Sequence, residues 1–160
     1  MEVQFELNGK PVHTEIEAGA VLLDVLRDLG CYSVKCGCET TNCGLCTVWV
    51  DGTPRLSCSI LAAGISGRKI TTLEGLQEEA ARFGAYLAAE GAEQCGYCSP
   101  GFIMNVLAME RELCVSGHCP DAEEIREYLA GNLCRCTGYA GQLRAVEKYL
   151  RESKIGRAHV

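Results

Sequence analysis

The sequence predicts an α+β protein of two small domains in tandem, a β-rich domain over residues 1–75 and a helical domain over residues 76–153. Alternating apolar residues and turn dipeptides fill the first half, whereas apolar residues at helical spacing fill the second. Each half also contains its own cluster of cysteines. Domains of this size bury a modest core, and a bound metal often contributes to their stability.

Short strands around one helix are predicted in the first half. The segments VQFEL and PVHTEIE alternate on either side of Asn8-Gly9, a typical hairpin turn. A helix with one apolar face is expected over residues 21–29. Beyond a cysteine-rich loop, TVWV and PRLSCS flank a second turn at Asp51-Gly52, and KITTLEG is the last strand. Trp49 is expected in the core of the resulting mixed sheet.

Four helices are predicted in the second half. The stretch QEEAARFGAYLAAEG forms the first, and Ser99-Pro100 is expected to cap and open the second. Pro120-Asp121 opens the third, and an apolar stripe from Leu143 to Leu150 marks the fourth. Such stripes are more typical of a bundle core than of a ligand pocket.

Composition and charge exclude several classes of function. A net charge of -6 gives no excess of basic residues for a phosphate backbone, so no nucleic-acid partner is expected. No apolar run reaches the roughly 18–20 residues of a membrane span, and MEVQFELNGK does not resemble a signal peptide. These features predict a cytoplasmic location without a membrane partner. No constellation for chemistry on an organic substrate is present, so no catalytic residue is predicted.

Twelve of the 160 residues are cysteine, and most occur in tight groups such as CGLC, CGYC and CRC. Buried free thiols could explain scattered cysteines, but they do not explain such groups. In a reducing compartment, cysteine groups favour metal binding over a disulfide framework.

The first group has the spacing of a 2Fe-2S site. Cys38, Cys43 and Cys46 follow C-x4-C-x2-C, and Cys58 comes after eleven further residues, which is the plant-type ferredoxin arrangement. Zinc is the main alternative, but a zinc ribbon prefers paired C-x2-C units. Cys36 is left spare, because using it would lengthen the first gap to six residues.

The second group is less specific when taken by itself. Cys95 and Cys98 form C-x2-C before one predicted helix, and Cys134 and Cys136 form C-x-C after another. This spacing predicts four thiolates between helix ends and leaves the metal open.

Together, VKCGCETTNCGLCTVWVDGTPRLSCS, QCGYCSPGFIMN and GNLCRCTGY resemble the small iron–sulfur subunit of molybdenum hydroxylases of the xanthine dehydrogenase and aldehyde oxidoreductase type. The resemblance extends over about residues 3–152. It implies a β-grasp ferredoxin-like domain with one 2Fe-2S cluster and a four-helix domain with a second. The implied ligands are Cys38, Cys43, Cys46 and Cys58 for the first cluster and Cys95, Cys98, Cys134 and Cys136 for the second.

The resemblance also implies partners and a direction of electron flow. A large subunit would carry molybdopterin and hydroxylate a substrate, such as a purine, another N-heterocycle or an aldehyde. Electrons would pass through the helical-domain cluster, then the ferredoxin-like cluster, to FAD on a medium subunit. Gln94 and Cys136 match positions that approach the pterin, so Cys136 would be both a ligand and the point where electrons arrive.

Two positions depart from the family pattern, which usually has Gly in place of Thr41 and Ala in place of Leu45. Because a threonine disfavours positive φ, the loop is expected to bend differently at Thr41. The segment IGRAHV resembles a translated sequencing adapter, so residues 154–160 are expected to be a tail outside the helical domain.

The remaining cysteines, Cys31, Cys36, Cys114 and Cys119, have no predicted role as ligands. Cys114, His118 and Cys119 could hold zinc, but a fourth ligand is missing and Gly117 indicates an ordinary turn. Two other hypotheses stay open for the whole chain: a free-standing two-cluster ferredoxin and a zinc-stapled interaction module.

Overall fold

The computed structural model describes residues 1–113 and 118–157, with side chains described as far as residue 153. This part of the chain contains five strands and five helices. The strands are β1 (Glu2–Leu7), β2 (Lys10–Glu15), β3 (Thr47–Val50), β4 (Thr53–Leu56) and β5 (Lys69–Thr71), and the helices are α1 (Leu22–Asp28), α2 (Gln77–Ala89), α3 (Ser99–Leu113), α4 (Ala122–Leu129) and α5 (Ala140–Arg157). The predicted α+β class is confirmed. No helix of the described ranges is both long and apolar enough to cross a membrane.

The strands form one mixed sheet in the order β2-β1-β5-β3-β4. Strand β1 is antiparallel to β2 and parallel to β5, and β3 is antiparallel to both β5 and β4. Both predicted hairpin turns are confirmed, because φ is 52° and 79° at Asn8-Gly9 and 51° and 82° at Asp51-Gly52. Two successive left-handed residues give a turn that matches the twist of the flanking strands.

Helix α1 covers one face of the sheet. Its residues Leu22 and Leu26 are fully buried against alternate residues of β1, Val3 and Phe5 among them. The helix ends at Asp28, one residue before the predicted end, and Gly30, with φ of 90°, lets the chain turn away. A helix packed on a mixed sheet whose first and last strands lie side by side is the β-grasp arrangement that the family resemblance implies.

Helices α2 to α5 form the second lobe around their own core. Phe83 of α2, Met109 of α3 and Tyr149 of α5 are buried together. The predicted start of α4 is confirmed, because the Asp121 carboxylate accepts the backbone N–H groups of Glu123 and Glu124. Ser99 does not cap α3 as predicted. It is the first helical residue, and its hydroxyl donates to the Glu93 carboxylate at 2.8 Å.

Trp49 connects the two lobes, which differs from the prediction that it fills the sheet core. The residue lies on β3 and is buried, but it packs in the core of the helical lobe. Its indole N–H donates to the carbonyl of Met104 at 3.0 Å, and the Arg111 guanidinium lies 4.2 Å from the ring centroid. Since successive residues of a strand point to opposite faces, Trp49 faces away from α1 and is available to the helices.

Candidate metal centres

The cysteines of the first predicted set converge on one cavity at the surface of the first lobe. Cys38, Cys43, Cys46 and Cys58 all line this cavity, which has a volume of about 270 Å³. Cys43 and Cys46 are buried, and the other two are half-buried. The spare Cys36 lines the same cavity but is exposed.

Cys58 reaches the cavity from a 3-10 turn and not from a strand, which corrects the prediction. Strand β4 ends at Leu56, and the turn over Ser57–Ser59 carries Cys58 back toward the cysteine loop. The turn is held because the Ser57 hydroxyl donates to the Cys46 carbonyl at 2.8 Å. A strand would have continued along the sheet and carried the thiol away from the loop.

Backbone N–H groups of the loop point at the Cys38 sulfur. The amide of Asn42 donates to Cys38 Sγ at 3.4 Å. Hydrogen bonds from the backbone of Asn42, Thr40 and Cys43 lower the pKa of the Cys38 thiol to about 6. These donors stabilise a thiolate, which is the form that binds a metal.

The other thiols of this set lie close to one another, and the pKa values of two of them are raised. Burial, followed by the hydrogen bond with Cys46 and the charges of the neighbouring thiols, raises the pKa of Cys58 to about 12. Burial is also the largest influence on Cys43, whose pKa is raised. Several thiolates this close are mutually repulsive unless cations lie between them, which is the environment that iron ions supply.

The second set lies between the turn that precedes α3 and the loop that joins α4 to α5. Cys95 and Cys136 are exposed, and their sulfur atoms are 3.5 Å apart. Cys98 and Cys134 are half-buried and are hydrogen-bonded to each other. The set therefore has an outer pair and an inner pair.

Side chains that the sequence analysis did not single out surround the inner pair. Burial acts to raise the pKa of Cys134, but hydrogen bonds from the Thr137 side chain and from nearby backbone outweigh it and leave the pKa lowered. The Thr137 hydroxyl is 3.2 Å from Cys134 Sγ, and the Gln142 amide nitrogen is 3.9 Å from Cys98 Sγ. The hydroxyl oxygen of Tyr139 accepts the backbone N–H of Cys134 at 2.9 Å. In the sequence, their positions just after the CRC motif are the feature that could have identified them as neighbours of the thiols.

The eight thiols sort into four pairs, two in each set. The pairs are Cys38 with Cys43, Cys46 with Cys58, Cys95 with Cys136, and Cys98 with Cys134. A 2Fe-2S cluster takes two thiolates on each of two irons, whereas zinc takes four ligands on one ion. No group of three or more candidate ligands in residues 1–113 and 118–157 converges on a single ion. The arrangement fits two binuclear clusters better than two single ions.

The two sets meet where the lobes touch. Cys43 of the first set and Cys98 and Cys134 of the second line one small cavity. The backbone N–H of Leu133, beside Cys134, donates to the carbonyl of Cys43 at 2.9 Å. A short path of covalent bonds and one hydrogen bond therefore joins a thiol of each set.

The exposed end of the second set is bordered by polar and apolar residues. Gln94, predicted to approach a pterin, is exposed beside Cys95. Tyr97, Leu133 and Tyr139 are each 45–47% exposed, and all three belong to the segments that carry the second set.

Cys36 is the one remaining cysteine, among those that the structure describes, that lines a cavity of the two sets. Cys31 is buried in the core of the first lobe, and burial raises the pKa of its thiol. The predicted zinc ligands Cys114, His118 and Cys119 cannot be compared as a group, since Cys114 lies outside the described residues. His118 itself is 2.9 Å from the Glu124 carboxylate.

Two known protein families match this chain, one over the β-grasp lobe and one over the helical lobe. Residues 5–79 match the family described as a 2Fe-2S iron-sulfur cluster binding domain, and residues 72–147 match a [2Fe-2S] binding domain family. The two families occur in the order that the β-grasp and helical lobes take along the chain.

Relatives match over most of their own length. The chain is 43% identical to the xanthine dehydrogenase iron-sulfur-binding subunit of Escherichia coli O157:H7, over 86% of both chains. It is 39% identical to the nicotine 6-hydroxylase small subunit of Paenarthrobacter nicotinovorans, over 91% of this chain and 87% of that one.

Solved structures with a similar fold come from the same kinds of enzyme as these relatives. The fold matches a chain of quinoline 2-oxidoreductase from Pseudomonas putida 86 with a TM-score of 0.87 and 34% identity, over 100% of this chain and 98% of that one. It also matches aldehyde oxidoreductase from Desulfovibrio gigas, with a TM-score of 0.83 and 32% identity, over 98% of this chain but 17% of the other. The thiols are paired in two lobes, both cluster-domain families match, and the relatives match 86–91% of the chain. The chain therefore belongs to the family of small iron–sulfur, electron-transfer subunits of molybdenum hydroxylases.

Proposed function

We propose that this chain carries electrons from a molybdopterin-binding large subunit to an FAD-binding medium subunit through two 2Fe-2S clusters. The observation that supports this most directly is the contact between the two thiol sets, where the Leu133 N–H donates to the Cys43 carbonyl. Two structural metal sites, each stabilising its own lobe, would need no such connection. A relay needs one, because electron transfer requires donor and acceptor to be close.

The proposed ligands are the eight paired cysteines. In the first lobe they are Cys38, Cys43, Cys46 and Cys58, and in the second they are Cys95, Cys98, Cys134 and Cys136. A 2Fe-2S cluster, when bound, supplies a one-electron carrier whose potential depends on hydrogen bonds to sulfur, burial and charge. The residues of the chain provide these influences through the Asn42 amide at Cys38 and the Thr137 hydroxyl at Cys134.

The proposed direction of transfer rests on the difference in exposure within the second set. Its outer pair, Cys95 and Cys136, lies at the surface, and its inner pair faces the first lobe. We assign the outer pair, with Gln94, to the pterin of the large subunit. The first set, whose cavity opens at the surface of the other lobe, then faces the FAD-binding subunit. We also propose that the boundary between the lobes lies near Gly75, after β5 and before α2. Helix α5 continues to Arg157 and so includes the first residues of the predicted tail.

Exposed apolar residues favour a subunit over a free-standing ferredoxin. Tyr97, Leu133 and Tyr139 surround the second set and would be covered by a partner. The two relatives described above are both named as subunits of oxidoreductases, which agrees with this preference. The use of cysteines as free thiols also suits the reducing cytoplasm.

Metal analysis and EPR test the proposal. The purified chain should contain about four irons and four acid-labile sulfides, two of each per cluster, and full reduction should give two distinguishable EPR signals. Cys38→Ser should abolish one signal, whereas the matched variant Cys36→Ser should retain both. Zinc in place of iron, or a single signal from the unmodified chain, would contradict the proposal.

A further inference from the structure

Tyr97 lies between two proposed ligands of the second cluster, and its side chain crosses to the loop of the first. Its phenol hydroxyl donates to the backbone carbonyl of Cys36 at 2.7 Å, across 61 positions of sequence. Cys36 is two residues before Cys38, and Tyr97 is one residue before Cys98. One hydrogen bond therefore joins the segments that carry the two thiol sets.

The environment of the Tyr97 ring indicates that this contact is specific. The residue is 47% exposed, so burial of apolar area alone does not explain its position. The Lys35 ammonium lies 5.7 Å from the ring centroid, within the range of a cation–π interaction. The ring is thus held by the first lobe at its face and at its hydroxyl.

The Tyr97 bond complements the backbone bond from Leu133 to Cys43. The backbone bond lies beside the inner thiols, whereas the phenol bond lies at the exposed edge of the same contact. Buried Trp49 and the packing of Gly101 against Gly44 already hold the two lobes together. The phenol bond therefore acts locally, on the exposed edge of the loop that carries Cys36 and Cys38.

We propose that Tyr97 is a positioning residue for electron transfer within this chain, and that its hydroxyl fixes the separation and orientation of the two cluster-binding segments. The inference rests on the proposed function, because it assumes a cluster in each thiol set. Tyr97 acts through the backbone of the two segments and not as a ligand. Electron transfer and magnetic coupling between two centres both fall steeply with distance, so both should respond to loss of this bond.

The test is Tyr97→Phe in the full chain with both clusters in place, which removes the hydroxyl and keeps the ring over which Lys35 lies. Tyr32→Phe is the matched control, since Tyr32 is an exposed tyrosine with its own cation–π partner, Arg27, at 5.8 Å. Iron and sulfide contents should equal those of the unmodified chain. The magnetic splitting between the two reduced clusters should weaken or broaden. Electron equilibration between them should slow by up to about fivefold, the largest loss of the bonded geometry that one net hydrogen bond can account for. Tyr32→Phe should change neither quantity.

Two results would overturn the inference. If splitting and equilibration rate in Tyr97→Phe match those of the unmodified chain, the hydroxyl does not position the clusters. If Tyr97→Phe loses iron, the residue serves to retain a cluster and not to place it. Failure of the proposed function is recognised separately, because the unmodified chain would then lack two iron–sulfur signals before any substitution is made.

Discussion

Left-handed backbone shapes the loop that carries the first thiol set, and two non-glycine residues in it, Glu39 with φ of 53° and the β-branched Thr41, adopt that conformation. Gly44 has φ of 74° at little steric cost, whereas Thr41 has φ of 56° with a β-branched side chain. The chain therefore has a left-handed bend at Thr41, a conformation that a β-branched residue disfavours. The Thr41 hydroxyl donates to the Thr40 carbonyl at 2.7 Å, which offsets part of the strain.

Replacement of this threonine by glycine should stabilise the chain. We expect Thr41→Gly to raise the free energy of unfolding by about 0.5–1 kcal/mol, because the steric cost it removes exceeds the backbone entropy that glycine adds. Thr40→Gly is the control, since Thr40 has no positive φ and should lose stability. Thermal unfolding of both variants measures the difference, and a lower melting temperature for Thr41→Gly would contradict the strain argument.

A carboxylate links the end of the sheet to the loop that follows α1. Glu74, just beyond β5, accepts hydrogen bonds from the backbone N–H and hydroxyl of Ser33, at 2.9 and 2.6 Å, and from the hydroxyl of Thr72 at 2.6 Å. Burial acts to raise its pKa, but these hydrogen bonds outweigh burial and leave the pKa lowered. The bonds hold the segment that leads into the first cysteine loop.

This arrangement predicts a loss of stability in acid. Because the pKa of Glu74 is lower in the folded chain, its contribution is present above the unfolded value of about 4.3 and is lost as pH falls through the folded value. Glu74→Gln should reduce stability at pH 7 by on the order of 1–2 kcal/mol, and the difference from the unmodified chain should shrink toward about pH 3, below the unfolded value. Urea unfolding at both pH values tests this, with the exposed Glu17→Gln as control; a difference that does not depend on pH would exclude the carboxylate charge as its cause.

The elements that the sequence predicted correctly are those fixed by nearby residues. The turns at Asn8-Gly9 and Asp51-Gly52 and the start of α4 at Asp121 depend on local backbone chemistry, and all three are found. Cys58 and Trp49 were misplaced because their positions depend on distant contacts. The 3-10 turn of Cys58 is held by a bond to the Cys46 carbonyl, and Trp49 is buried by helices that come much later in the chain.

The difference between local and distant contacts also decides which parts of the site the sequence predicted. Cysteine spacing predicted which thiols belong to each set, since spacing constrains ligands within one loop. It did not predict that Leu133 would bond to Cys43, or that Tyr97 would reach Cys36. Both contacts depend on how the two lobes dock, and periodicity within either lobe carries no information about docking.

The docking of the lobes depends on a close approach at Gly101, near the start of α3. A Cβ atom at Gly101 would lie 2.4 Å from the carbonyl oxygen of Gly44 and 2.8 Å from that of Leu45, in the loop between the proposed ligands Cys43 and Cys46. Because these are backbone atoms, Gly101→Ala should force the lobes apart and destabilise the chain by about 1–3 kcal/mol. Gly84→Ala in α2 is the matched control: its Cβ meets no atom within 4 Å, so it should stabilise the helix by roughly 0.5–1 kcal/mol. Thermal unfolding should shift in opposite directions for the two variants, and a stabilised Gly101→Ala would show that the lobes do not need this contact.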